Sequence, residues 1–300
     1  MKRTIILVSA TIVILVIIGI LYIKPLNQTN TSNKIQVVAA ENFWGSLASQ
    51  IGGNKANVLS IVSDPNADPH EYESNTTDAR AVSSASLVII NGAGYDSWAS
   101  KLLNASPNSN RRTLDVQTFL DQSNTANPHF WYNPDYVSRV SAQIAENYCQ
   151  VDAKNCQYYQ ANYRTLNASL QGYQNEIKQI AAKYSGVKVA ATEDIFVYLA
   201  KPAGLDLISP ASFIQAVAEG NDPPAGSIAT FEQQLKSGQV KLLIYNEQTN
   251  TPLTTSIRQI AAAQRIPIVG ITETIQPVNS TFQSWMSKEI SNISTALQKQ

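Results

Sequence analysis

The sequence predicts an α/β protein: two parallel-sheet α/β lobes joined by one long linking helix, with a binding site in the cleft between them. Three observations carry this expectation. Short β-branched runs alternate with helical patterns in both halves of the chain, the signature of βα units in a parallel sheet. Between the halves, Tyr159, Tyr163, Leu166, Leu170, Tyr173, Ile177, Ile180 and Tyr184 recur at four-three spacing with no proline among them, which predicts a single helix. At 300 residues the chain also exceeds one typical domain of about 100–150 residues.

The first element is apolar. "MKR" precedes residues 4–23, TIILVSATIVILVIIGILYI, which contain no charge; a hydrocarbon core about 30 Å thick needs about 20 helical residues to span it. A cleavable signal has a shorter apolar stretch and a small-x-small site, and no convincing site of that kind is present. No cysteine lies nearby to carry a lipid. Residues 1–23 are therefore expected to form a membrane anchor (or uncleaved signal), with Lys2 and Arg3 held inside and the rest of the chain facing outward. Cleavage would instead give a secreted protein. Residues 24–34, KPLNQTNTSNK, read as a polar tether.

An N-terminal lobe is expected over 35–156. Strand IQVVAA (35–40) leads into a helix that ends at paired glycines, ENFWGSLASQIGG. ANVLSIVS (56–63) is the next strand, TTDARAVSSA (76–85) a helix with a Thr/Asp start, and SLVIIN (86–91) another strand. The linking helix, expected over 157–185, has about 26 residues in its apolar run and a length of about 40 Å. So long an apolar stripe must lie against more than one lobe, which leaves little room for hinge motion. A coiled-coil dimer is the other way to bury it, but tyrosines make a poor seam, and a monomer is expected. The C-terminal lobe, 186–300, carries strands VKVAAT (187–192), VKLLIYN (240–246) and IPIVGIT (266–272).

Composition excludes one class of partner. The net charge is zero and no long run of one sign occurs, so the basic face that nucleic acid requires is lacking. Cys149 and Cys156 are the only cysteines. In an oxidising compartment a disulfide between them is expected; a thiolate metal pair is the rival, and the spacing fits no common motif of that kind.

In open parallel sheets ligands bind beyond the carboxyl ends of the strands. Glu41 follows the first strand, and the loop DPNADPHEYE with His70 follows the second. Glu193, Glu247 and Glu273 each follow a strand of the C-terminal half. The chain has only two histidines, His70 in DPHEYE and His129 in NPHFWYNP, each directly after a proline. Two imidazoles meeting several carboxylates across a cleft point to a divalent cation, because crowded carboxylates repel and raise one another's pKa. Taken singly, each residue has a plainer reading: a loop histidine as a surface or capping group, a glutamate after a strand as a solvated neighbour of a helix start. Trp44, Trp98, Trp131 and Trp285 are read as core or lobe-surface aromatics.

These residues carry a resemblance. From about residue 35 to 299 the chain resembles the metal-binding subunits of bacterial ABC importers, the zinc/manganese cluster with a rigid linking helix. NVLSIVSDPNADPHEYESNTTDARAVSSASLVIINGAGYDSWASKLL is similar to that family's first ligand segment and NPHFWYNPDYV to its second, which usually has Asp before Pro-His. ATEDIFVYLAKPAGL resembles the third and IPIVGITETIQP the fourth. The resemblance implies His70, His129, Glu193 and Glu273 as metal ligands, with Glu41 and Glu247 as candidates for contact with those ligands rather than the ion. It also implies a membrane permease and its ATPase as partners. The third position is Glu where many zinc-specific members have His, and the fourth is Glu where Asp is common. Two nitrogens with carboxylate oxygens suit Zn2+ or Mn2+; carboxylate in place of imidazole hardens the site toward manganese, whereas raw affinity favours zinc.

The expected function is that of an extracytoplasmic receptor that captures the ion and hands it to the permease, without catalysis. A surface adhesin or scaffold on the same fold is the alternative. A metal-dependent enzyme is a third reading, but it needs an open coordination position, and no HExxH-like motif is present.

Overall fold

The structure, a computed structural model, describes residues 34–64, 69 and 72–299. The apolar segment 4–23, most of the tether and His70 lie outside the described residues. Among the described residues, no helix is long and apolar enough to cross a membrane.

Two four-stranded parallel sheets form the scaffold. In the first, β1 (Ile35–Glu41), β2 (Ala56–Val62), β3 (Leu87–Ile90) and β4 (Arg112–Asp115) stand in the order β2-β1-β3-β4. In the second, β5 (Lys188–Ala191), β6 (Asp206–Leu207), β7 (Leu242–Asn246) and β8 (Ile268–Ile271) stand in the order β6-β5-β7-β8. The two sheets repeat one topology. In each, the chain steps outward once and then crosses back, so the strand ends of β1 and β3, and of β5 and β7, flank a point where ligands bind.

Central strands are apolar on both faces because helices cover both. β1, β3 and β7 are almost wholly buried, whereas the edge strand β2 leaves Leu59 at 47% exposure. The sequence does not announce β4 and β6. Arg112 and Thr113 are exposed, and β6 has only two residues, so neither shows the apolar run that marks a strand.

The linking helix runs Cys156–Tyr184. Its stripe of Tyr159, Leu166, Leu170, Tyr173, Ile177 and Ile180 is buried. It packs on helices Asn42–Gly52 and Pro134–Val151 of the first half and on Phe282–Leu297 of the second. One apolar cluster therefore runs from Phe43 and Tyr148 through this stripe to Trp285 and Ile290. Burying each large apolar side chain is favourable by about 1.5–3 kcal/mol, so a hinge motion that stripped this contact would be strongly opposed. Polar bonds cross between the halves as well: Ile275 N donates to Asn42 Oδ1 at 2.9 Å, and Phe282 N to Ser46 Oγ at 3.0 Å.

Cys149, near the end of helix Pro134–Val151, is bonded to Cys156 at the start of the linking helix. Cross-linking two residues seven apart removes loop-closure entropy worth about 2.5 kcal/mol from the unfolded chain. The Cys149→Ser/Cys156→Ser double variant is thus expected to lose about that much stability in urea unfolding, with metal affinity unchanged.

Candidate metal centre

His129 is delivered by a loop held on both sides. The carbonyl of Pro128 accepts from Asn91 Nδ2 at 2.9 Å, and Asn91 Oδ1 accepts from Trp44 Nε1 at 3.0 Å. Asn127 Oδ1 accepts from the His129 backbone N–H at 2.9 Å and lies 2.8 Å from the ring Nδ1. The orientation of this amide is fixed, because Asn127 Nδ2 donates across the cleft to the carbonyl of Asp194 at 2.7 Å. Nδ1 therefore faces an acceptor, with the Asp194 carboxylate a further 3.1 Å contact. Such an arrangement holds the proton on Nδ1 and makes Nε2 the basic nitrogen of the neutral ring. Trp131 packs against the imidazole with ring centroids 5.2 Å apart.

Glu193 follows β5 and Glu273 follows β8, as expected for residues beyond strand ends. Both are buried, at 1% and 0% exposure. Asn246, the last residue of β7, donates from Nδ2 to Glu193 Oε1 at 2.7 Å and makes a short bond to Glu273 Oε1. Tyr95 donates from its hydroxyl to Glu273 Oε2 at 2.7 Å. Gln248 Oε1 accepts from the backbone N–H of Glu273 at 2.7 Å and of Thr274 at 3.1 Å, which pins the fourth segment.

The result is a tight group. His129, Glu193 and Glu273 each offer a ligand atom, and these atoms lie within 4.8 Å of one another. Burial, and next the Glu273 charge, push the Glu193 carboxyl up to about 8. For His129, burial acts downward, but Asp194, Glu273 and Glu193 outweigh it and the ring titrates above its ordinary range. Glu193 thus holds its proton near neutral pH beside the Glu273 charge, a conflict that a bound dication removes.

The other sequence-predicted residues fall as follows. His70 lies outside the described residues. Two positions on, Tyr72 is anchored: its hydroxyl donates to Asp78 Oδ2 at 2.8 Å, and its ring packs on Trp98 at 4.9 Å. Asp78 in turn closes the capping box of helix Thr76–Ser84 with Asn75. Glu41 is buried against Asp96; burial and then that neighbouring charge hold its carboxyl well above the usual range. It is not one of the three residues that offer ligand atoms to the group. Glu247 is not brought to the cluster. It is exposed, and its side chain lies over Gly270, where a Cβ would meet Glu247 Oε1 at 2.1 Å. Strand alternation explains this: Ile244 and Asn246 share the inner face of β7, so Glu247 points outward. Asn246 takes the role that sequence reading offered to Glu247, and the period-two pattern of LLIYNE held that signal. Tyr95, Asn127 and Asp194 were also missed. They line an open cavity of about 610 Å³ between the two halves, beside the ligand group.

The family model of ZnuA, the zinc-uptake complex component A, periplasmic, matches residues 37–296. The metal ABC transporter substrate-binding lipoprotein FimA of Streptococcus parasanguinis is 24% identical over 265 residues, covering 83% of each chain. The manganese ABC transporter substrate-binding lipoprotein PsaA of Streptococcus pneumoniae is 25% identical over 261 residues, 82% of this chain and 81% of PsaA. Among solved structures, the periplasmic zinc binding protein TroA of Treponema pallidum superposes with a TM-score of 0.74 at 15% identity, over 88% of this chain and 99% of TroA. At that identity the likeness to TroA shows the fold: two α/β lobes and a long helix between them. With a family match that spans both sheets and the linking helix, the chain belongs to the zinc-uptake complex component A periplasmic family.

Proposed function

We propose that this protein is the extracytoplasmic substrate-binding component of an ABC importer for a divalent transition metal. It holds the ion as cargo through His70, His129, Glu193 and Glu273 and passes it to a membrane permease driven by its ATPase. The observation that carries this reading is the buried group of one imidazole and two carboxylates, whose ligand atoms lie within 4.8 Å of one another. The relatives named as metal and manganese ABC transporter substrate-binding lipoproteins support it. His70 enters through its motif and completes a set of four protein donors. Four donors would close the coordination position that a catalytic metal keeps open, so no reaction is assigned. Cys149 and Cys156 are bonded to each other and neither can carry a lipid; the tether we propose is the apolar segment 4–23.

The test is thermal unfolding with and without metal. Zn2+ or Mn2+ at a hundredfold excess over Kd should stabilise the wild type by about 2.7 kcal/mol, since the ion binds only the folded cleft. No stabilisation by either ion would contradict the proposal.

The pH dependence has a definite sign. A proton on Glu193, whose carboxyl sits at about 8, or on both nitrogens of His129 must leave before the ion binds. Affinity should therefore fall as pH drops, and still be rising between pH 7 and 8. Calorimetry at pH 7 in buffers of different ionisation heat should show release of about one proton or more. Binding without proton release would count against these ligands.

A further inference from the structure

We infer that the Asn127–Asp194 contact is a gate on the metal cleft, a strap across its mouth that parts for the ion to enter or leave. This rests on the metal-binding reading above and adds the ion's route and the step that sets its exchange rate. Asn127 is not an expected ligand; it acts through its neighbours as a positioning residue.

The need for a gate follows from burial. His129, Glu193 and Glu273 are 0%, 1% and 0% exposed, so no ion reaches them in this conformation. The linking helix opposes a hinge motion, because its buried stripe packs on both halves. Something local has to move instead. The open cavity of about 610 Å³ between the halves shows where. Asn127 and Asp194 line it, and both also reach Nδ1 of the buried His129 ring, at 2.8 Å and 3.1 Å. They form the wall between solvent and the ligand group. Ala93 and Gly94, left-handed at φ of 51° and 82°, line the same cavity beside Tyr95.

One amide closes this wall. Asn127 Oδ1 accepts from the His129 backbone N–H at 2.9 Å, while Nδ2 donates to the Asp194 carbonyl at 2.7 Å. That carbonyl also accepts from Val197 N–H in its own turn, so the strap ends on a fixed point directly after Glu193. An amide accepts from the histidine and donates to the carbonyl at once; a carboxylate does only the first. The other end of the strap is softer. Residues 121–128 contain neither helix nor strand, and all are exposed or half-buried. Segments of that kind open at far lower free energy than a packed core. Parting the strap therefore frees one edge of the cleft and leaves both sheets and the linking helix in place.

The experiment uses the full chain as wild type and Asn127→Asp. Release of Zn2+ from the loaded protein to an excess of chromogenic chelator gives the dissociation rate, and mass spectrometry follows hydrogen exchange in the metal-free protein. Asn127→Asp keeps the acceptor for His129 but sets a carboxylate oxygen against the Asp194 carbonyl. It should release Zn2+ about tenfold faster, the equivalent of one hydrogen bond. The sign is diagnostic, because an added carboxylate near a cation would by itself slow release. In the metal-free wild type the His129 and Val197 amides should be protected from exchange. In the variant they should exchange about tenfold faster, with the linking helix unchanged. Release at or below the wild-type rate would overturn the gate, and so would unprotected His129 and Val197 amides in the metal-free wild type, a measurement that decides even where the variant does not fold. A wild type that binds neither Zn2+ nor Mn2+ would overturn the metal-binding reading, and the gate with it.

Discussion

The Glu193→Gln variant is expected to match or exceed the melting temperature of the metal-free wild type and to lose at least about a hundredfold in metal affinity. Both halves of this expectation follow from burial. Glu193 is fully buried beside Glu273, and its carboxyl is pushed up to about 8, so near neutral pH the metal-free protein already holds a proton there. Glutamine has the shape of that protonated form. Its carbonyl can keep the bond from Asn246, and its amide N–H can turn toward Glu273, which removes a repulsion instead of adding one. As a ligand, however, a neutral amide is a poor substitute for carboxylate. Loss of an outer partner alone typically costs 10–100-fold in metal affinity, and Glu193 belongs to the proposed inner set. Differential scanning calorimetry with and without Zn2+ separates the two effects. A variant that keeps the full metal-induced shift would remove Glu193 from the ligand set.

The second large effect is expected at Glu289, on helix Phe282–Leu297. This carboxyl is buried and joins the two halves of the molecule. Its Oε1 accepts from Thr272 N at 2.9 Å and Trp285 Nε1 at 2.9 Å, and its Oε2 lies 2.6 Å from the Tyr132 hydroxyl. The same hydroxyl lies 2.8 Å from the carbonyl of Thr272. One hydroxyl hydrogen cannot serve two acceptors. A proton on Glu289 solves this: the carboxyl donates to Tyr132, and Tyr132 donates to Thr272. Burial agrees, raising Glu289 to about 7 despite the bonds that act downward. Glu289→Ala leaves a cavity and several stranded donors, and should cost about 3–5 kcal/mol. At low pH, where the wild-type carboxyl carries its proton, Glu289→Gln, which can donate to Tyr132 as the protonated acid does, should stay within about 1 kcal/mol.

The pH signature separates these cases. The folded-state pKa of Glu289, about 7, lies above the unfolded value of about 4.3. Its stabilisation is therefore fully present below about pH 4.3 and is lost as pH rises through 7, a change of about 3–4 kcal/mol for this group. Glu289→Gln has no such proton to lose. The stability difference between wild type and Glu289→Gln, measured by urea unfolding from pH 5 to 8, should shift in the variant's favour as pH rises. A constant difference would mean that Glu289 is ionised throughout.

Much of this molecule is written in periodicity. The strands that matter for the site, β1, β5, β7 and β8, are apolar runs bounded by polar residues, and the four-three stripe of the linking helix is uninterrupted. Glu193 and Glu273 were legible because a carboxylate after a buried strand stands out. What escaped sequence reading is lateral. Asn246 and Glu247 are adjacent, and a charged residue draws attention before an amide; only the strand's alternation says which one faces inward. Tyr95 is one of thirteen tyrosines, and nothing local ties it to a glutamate 178 positions away. The turn NGAGY that aims it reads as a loop, since a left-handed alanine leaves no trace in the sequence. Asp194 was hidden for a similar reason: beside Glu193 it passes for a helix-start acid, and its contact with His129 depends on how the two halves meet. Cys149 and Cys156 were legible because only two cysteines exist to be paired.

On the proposed function, one ion is held between imidazole from the first half and carboxylate from the second. Anomalous diffraction at the zinc edge from crystals grown with Zn2+ tests it most directly. A single strong peak is expected about 2.0–2.2 Å from His129 Nε2, a ring nitrogen of His70 and carboxylate oxygens of Glu193 and Glu273. A peak that touches only one half of the molecule, or a His70 ring turned away from the ion, would contradict it.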